Sequence, residues 1–209
     1  IQGYWSSSNL TDLIRIMISN RHILDQMEGK LSLFKNAFLR VAHWLNRNSQ
    51  AGSRRNIEAH YDLGNEMFEL FLDPTMMYSC AYYPDEKTSL EQASLAKLQR
   101  ICDKLQLNES DHVIEIGTGW GGFALYAAQN YGCKVTTTTI SQQQHDWAKQ
   151  RIIEAGLEDK ITLLMEDYRD LQGTYDKLVS IEMIEAVGHQ YLDTYFAKCS
   201  SLLKPEGIM

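Results

Sequence analysis

The chain has no excess of basic residues, no paired cysteines and no long apolar run. Its 20 Lys and Arg stand against 27 Asp and Glu, a formal charge of -7. A phosphate backbone needs a basic face, so nucleic acid is not an expected partner. The four cysteines, Cys80, Cys102, Cys133 and Cys199, are far apart and form no CxxC pair. That spacing argues against a zinc site or a disulfide framework, and no metal is expected. A reducing compartment is the simplest reading. No apolar stretch reaches the roughly 20 residues that cross a bilayer. No signal peptide is visible at the start. Internal repeats and low-complexity tracts are missing too. The 44% hydrophobic content is enough to bury a core, which excludes disorder for the bulk of the 209 residues. The length suits one domain with a smaller appendage.

Charge is unevenly spread. Lys30, Lys35, Arg40, Arg47, Arg54 and Arg55 face a single acid, Glu28, within residues 28–55. This local basic face suits an anionic partner. Residues 9–27 and 29–48 read as two helices; in the second, Phe34, Phe38, Val41 and Leu45 recur at helical spacing. That second helix suits an anionic membrane surface, or packs its apolar stripe on the protein. The polar stretch 46–56 reads as a linker. An aromatic, mostly irregular stretch covers 60–88, with a helical piece around 66–72. Ser89 is the expected N-cap of a helix to Leu105. Beyond it, strands at 112–116, 134–139, 161–165 and 177–181 alternate with helices at 122–131, 142–155 and 190–203. Such alternation implies an α/β fold with a parallel, doubly wound sheet. Lys204-Pro205-Glu206 reads as a turn before another strand, so the last strands of a full sheet are expected to be absent from this chain.

The strongest local signal is Val113-Ile-Glu-Ile-Gly117-Thr-Gly119-Trp-Gly121-Gly122. It follows a strand and opens a helix, where glycines permit a tight turn and close ligand approach. Gly117, Gly119 and Gly122 also fit the dinucleotide fingerprint. A dinucleotide site expects an acid about 20 residues on. Here that region reads Val135-Thr-Thr-Thr-Thr-Ile-Ser141, which counts against NAD. Glu115, two residues before the first glycine, is placed where methyltransferases commonly carry an acid, to organise the loop and attract a cationic cofactor end. Thr139, Ser141 and Gln144 offer hydrogen bonds in place of the missing acid. The plain alternative is a structural glycine turn without a ligand.

Seven motifs in order make the likeness specific: His60-Tyr-Asp-Leu-Gly-Asn65, Phe71-Leu-Asp-Pro74, Tyr78-Ser-Cys-Ala-Tyr82, Glu115 to Gly122, Thr139-Ile-Ser-Gln-Gln-Gln144, Asp167-Tyr-Arg169, and Ser180-Ile-Glu-Met-Ile-Glu-Ala-Val-Gly188. Over residues 57–208 the chain resembles the cyclopropane-fatty-acyl-phospholipid synthases, which include the mycolic acid cyclopropane synthases. The resemblance implies a Rossmann-like class I methyltransferase core at 57–209, C-terminally incomplete, after a helical segment and linker at 1–56. It implies S-adenosylmethionine as methyl donor, with Gly117, Thr118, Gly119 and Gly121 on the glycine turn. Thr139, Ile140, Ser141 and Gln144 would line the ribose and adenosine side. Tyr78 and Ser79 would meet the cofactor from the helical side, and Asp167 and Tyr168 would border the adenine. Tyr168 also reads as plain core.

The implied reaction moves a methyl group to the cis double bond of a phospholipid acyl chain. The resulting cation must lose a proton for the ring to close. The resemblance implies bicarbonate as the base, with Glu185 holding it and the Cys80 backbone assisting. The family's remaining histidine and tyrosine for that anion would lie beyond Met209. Read without the motif, Glu185 is a solvated residue early in a helix, and Cys80 a small buried side chain. Glu182 is either structural or encloses the methionine end. Tyr82 and Tyr83 are candidates to face the cation. Many members carry a histidine where this chain has Ala186, which puts that part of the site in doubt. The implied partner is an unsaturated acyl chain at the membrane surface, with a homodimer as one assembly option. The implied location is cytoplasmic, at the inner face of the membrane. Small-amine N-methylation, simple methyl branching, and a cofactor-binding domain without turnover stay open as alternatives.

Overall fold

The computed structural model describes residues 7–22 and 64–209. The chain divides into two compact units, residues 1–47 and 48–209. In the first, α1 (Leu10–Ser19) starts at Asn9, whose side chain accepts the Asp12 amide, and stops at Asn20. The expected helix 29–48 and linker 46–56 lie outside the described residues.

In the second unit, α2 (Asn65–Glu69) is a short helix in an otherwise irregular stretch. The next helix, α3 (Leu90–Leu105), opens with a full capping box: the Ser89 hydroxyl accepts the Gln92 amide, and the Gln92 side chain accepts the Ser89 amide. There follow β1 (His112–Ile116), α4 (Gly122–Tyr131), β2 (Lys134–Thr138), α5 (Gln142–Glu154), β3 (Ile161–Leu164), β4 (Tyr175–Val179), α6 (Ile184–Val187), a single 3-10 turn at His189–Tyr191, α7 (Leu192–Leu202) and β5 (Leu203–Ile208).

The five strands among the described residues are parallel, in the order β3-β2-β1-β4-β5. From β1 the chain winds outward to β3, then returns to place β4 on the other side of β1. The strand order thus reverses between β1 and β4, and ligands of such sheets bind outside the strand C-termini at that point. The α/β doubly wound expectation holds. β1 carries Val113, Ile114 and Ile116 fully inside, as expected for a strand covered on both faces.

Three boundaries differ from the sequence reading. β4 begins two residues earlier, because Tyr175 is buried against the His112 ring and the Asp176 carboxylate accepts the His112 amide at 2.9 Å. The helix expected at 190–203 runs Leu192–Leu202, because its start is taken up by the 3-10 turn His189–Tyr191 that follows Gly188 at φ 88°. Lys204-Pro205-Glu206 runs within β5 rather than in a turn. Pro205 is tolerated because β5 is outermost among the described strands and its register with β4 is irregular.

Candidate active site

The glycine turn leaves β1 and is tied at once to β2: the Gly117 and Thr118 amides both donate to the Thr138 carbonyl, at 3.1 and 3.0 Å. Gly117, Gly119 and Gly121 all have positive φ. A side chain on Gly119 would meet nothing within 4 Å, so this side of the turn is open. Gly122 is different. A Cβ there would lie 2.8 Å from the Thr75 carbonyl oxygen, so the glycine lets the segment around residue 75 press onto the start of α4.

Glu115 anchors the turn from below. Its carboxylate, 3% exposed, accepts the Thr137 hydroxyl at 2.6 Å. That hydroxyl's proton is then committed, so in the 2.7 Å contact between Thr118 and Thr137 the Thr118 hydroxyl is the donor. Burial pushes the Glu115 carboxyl up to about 8, partly countered by the Thr137 hydrogen bond. Buried and held by the Thr137 hydroxyl, Glu115 organises the loop.

At the end of β2, the sequence-predicted residues are brought together. Ser141 caps α5 by accepting the Gln144 amide, the Thr139 hydroxyl donates to Gln144 Oε1 at 2.9 Å, and the Ser141 amide donates to the Thr139 hydroxyl oxygen. Thr139, Ser141 and Gln144 are buried, and Ile140 is half-buried beside them. Asp167 and Tyr168 stand beyond β3. The Asp167 carboxylate takes a two-pronged ion pair from Arg169, at 2.8 and 2.7 Å. Tyr168 is half-buried, edge-on to Tyr195 with the Arg169 guanidinium over its ring. The packing matches its plain-core reading while leaving part of the ring exposed.

The segment from Gly64 to Tyr83 forms the facing wall. Asp73, 6% exposed, accepts the Thr75 amide and the Ser94 hydroxyl, which explains the Phe-Leu-Asp-Pro motif as a turn locked to α3. Trp120, from the glycine turn, is buried with Phe68 and Met76 and donates its indole N–H to Asn65. Arg151 of α5 donates to three carbonyls, those of Pro74, Thr75 and Trp120, and so joins this segment to the glycine turn. Tyr78 is half-exposed and edge-on to Phe68 and Trp120.

Next to it sits a charged cluster in which the sequence reading named Ser79, Cys80 and Glu182 but missed Lys97. Lys97, 9% exposed on the inner face of α3, donates to the Ser79 hydroxyl at 2.6 Å and to the Ser79 carbonyl at 3.2 Å. Burial holds its ammonium below the usual lysine range, opposed by the charges of Glu182, Cys80 and Asp73. The Cys80 amide donates to Glu182 Oε1 at 2.9 Å, across the switch point. Glu182 and its hydrogen bond push the Cys80 thiol up. Glu182 has φ 48°, a left-handed conformation uncommon for a side-chain-bearing residue. The signal for Lys97 was present: Ala93, Ser94, Leu98, Cys102 and Leu105 share its helix face, and a lysine at a core position needs a partner.

Residues 48–209 match the family model described as mycolic acid cyclopropane synthetase. The chain belongs to this family. Across its whole length it is 42% identical to the cyclopropane-fatty-acyl-phospholipid synthase of Escherichia coli K12, covering 52% of that protein. It is 36% identical, over 98% of its length, to the tuberculostearic acid methyltransferase UfaA1 of Mycobacterium tuberculosis, covering 49% of it. The chain thus spans about half the length of these curated relatives. Among solved structures it is similar to the cyclopropane synthase MmaA2 of M. tuberculosis, at 32% identity and a TM-score of 0.71, over 74% of this chain and 55% of that one. Coclaurine N-methyltransferase, at 21% identity and a TM-score of 0.65, shares the fold.

Within the cyclopropane synthase family, Cys80 and Glu185 were the expected holders of a bicarbonate. In this structure the Cys80 amide donates to the Glu182 carboxylate. Glu185 is exposed in the first turn of α6 and makes no hydrogen bond among the described residues. Tyr82, a candidate to face a cation, has the Arg100 guanidinium over its ring at 4.7 Å. Tyr83 is exposed.

Proposed function

We propose that the protein carrying this chain transfers a methyl group from S-adenosylmethionine to the cis double bond of an unsaturated fatty acyl phospholipid and closes a cyclopropane ring. The observation that carries this reading is the 42% identity to a cyclopropane-fatty-acyl-phospholipid synthase through every residue of the chain. The geometry supports a cofactor in the switch-point crevice. We assign Gly117, Thr118, Gly119 and Gly121 to its amino-acid end. Thr139, Ile140, Ser141 and Gln144 take the ribose side, and Asp167 and Tyr168 the base. Tyr78 and Ser79 close the site from the facing wall. Once bound, S-adenosylmethionine supplies an electrophilic methyl group on a sulfonium. The chain's own work is to hold that group against the facing wall, where Cys80 and Glu185 are assigned to the reacting side, and to keep water out.

No described helix is long and apolar enough to cross a membrane. The acyl chain is proposed to be met at a membrane surface, with the protein peripheral to its cytoplasmic face. A second reading, simple methyl branching of the acyl chain, is favoured by the relatives described as a tuberculostearic acid methyltransferase and a probable fatty acid methyltransferase, at 36% and 41% identity.

The test combines the intact protein, methyl-labelled S-adenosylmethionine and vesicles of cis-monounsaturated phospholipid, with products read by mass spectrometry. Gain of one methylene as a ring supports the first reading, and a methyl branch the second. Absence of any lipid product, with cofactor binding demonstrated, overturns both. Glu185→Gln is expected to lower product formation without loss of cofactor binding; full activity in this variant removes Glu185 from the reacting side.

A further inference from the structure

Burying an ammonium costs more than burying an apolar side chain of the same length, so a lysine on the buried face of a helix has something to do there. Lys97 lies among Ala93, Ser94, Leu98 and Cys102 on the inner face of α3 and is 9% exposed. Its two hydrogen bonds, to the Ser79 hydroxyl at 2.6 Å and the Ser79 carbonyl at 3.2 Å, both go to one neutral residue. The gain therefore lies in what the ammonium does to Ser79. We propose that Lys97 is a positioning residue for the cofactor's amino-acid end: it fixes Ser79 and turns its hydroxyl into a polarised donor for the carboxylate of that end. This rests on the cofactor assignment proposed above.

The donor and acceptor roles follow from the groups. An ammonium only donates, so in the 2.6 Å contact the Ser79 oxygen accepts and its own proton points elsewhere. That hydroxyl makes no other hydrogen bond among the described residues. An oxygen that accepts from a cation donates more strongly in turn, because the two bonds polarise one another. The bond to the carbonyl holds the main chain of the same residue, so backbone and side chain are fixed together. Burial disfavours the ammonium, and the nearby charges of Glu182, Cys80 and Asp73 oppose that.

The place of Ser79 fits the role. Tyr78, before it, packs its ring edge-on to Trp120 of the glycine turn, with centroids 6.5 Å apart. Cys80, after it, donates its amide to Glu182 on the turn that follows β4. The next residue of that turn, Met183, comes within 3.6 Å of where a Cβ on Gly117 would stand. Ser79 is thus bracketed by two contacts that lead to the glycine turn, where the amino-acid end is assigned. A carboxylate arriving there meets a hydroxyl backed by a cation.

The test is calorimetry on the intact protein with two ligands. S-adenosylhomocysteine carries the amino-acid end; 5′-methylthioadenosine stops at the thioether and has no carboxylate. Lys97→Met and Ser79→Ala are each expected to weaken S-adenosylhomocysteine about tenfold, the loss of one hydrogen bond to a charged group. Methylthioadenosine should bind all the proteins alike. The double variant should lose no more than either single one, since Lys97 acts through Ser79. Lys97→Gln, a neutral donor in place of the ammonium, is expected to show the same selective loss and stands in if the methionine variant does not fold. Wild-type affinity for S-adenosylhomocysteine in a folded Lys97 variant overturns the proposal. So does an equal loss for both ligands, which marks a merely structural lysine, and so do losses that add in the double variant. Wild type that binds neither ligand overturns the cofactor assignment itself, and this inference falls with it.

Discussion

On the glycine-turn side of the crevice, polar groups are tied into the sheet: Thr118 to Thr137, Thr137 to Glu115, Thr139 to Gln144, and two amides to the Thr138 carbonyl. On the side of residues 78–83, the polar ties are Lys97 to Ser79, Glu182 to Cys80 and the Tyr82 amide to Ala93. The first wall is buried; much of the second is exposed. A cofactor of constant shape suits a wall set by the fold. A long, variable acyl chain suits a wall held by a few charged contacts. Substitutions in the first wall should therefore cost stability, and those in the second should cost activity.

The largest stability effect is expected at the joint between them. Trp120→Ala removes a buried indole from its cluster with Phe68 and Met76 and orphans Asn65. It should destabilise by about 3–5 kcal/mol in urea unfolding. A loss under about 1 kcal/mol would mean the segment around Phe68 is not clamped to the glycine turn.

The next concerns Glu115. Its folded-state carboxyl is raised from the ordinary 4.5 to about 8. Between those values the unfolded chain has lost a proton that the folded chain keeps, so stability falls as pH rises, by at most about 1.4 kcal/mol per unit, and levels off above about 8. Glu115→Gln should flatten that slope. Unfolding midpoints between pH 5 and 8 that run parallel in the two proteins would show the buried acid to be ionised throughout.

The smallest stability effect is expected at Lys97→Met. An apolar side chain of similar length replaces a buried ammonium, a change often near neutral, and should shift stability by less than about 1 kcal/mol. Methyl transfer should nonetheless fall about tenfold, since Ser79 and Cys80 lose their tether. A variant that unfolds readily, or that keeps full turnover, would erase the contrast between the walls.

Legibility in the sequence follows the same divide. β1 and α4 were readable to the residue, because their signals are local: an apolar run, a glycine turn, a helix end at Gly132. The Ser89 cap was likewise legible as a hydroxyl three residues before a glutamine. Thr139, Ser141 and Gln144 are near neighbours and were found together. The contacts of the facing wall were not legible, because they join distant residues: Cys80 to Glu182 spans 102 positions, and Arg151 to Thr75 spans 76. No periodicity encodes such pairs. The early boundary of β4 was missed for a similar reason, since Tyr175 is held by His112 from another strand.

Position 182 is a local trade. Its backbone, at φ 48°, is one that glycine adopts without strain, while glutamate does so at a cost. Glycine would lack the carboxylate that holds the Cys80 amide, so the costlier residue is the one that can fasten the turn after β4 to the facing wall.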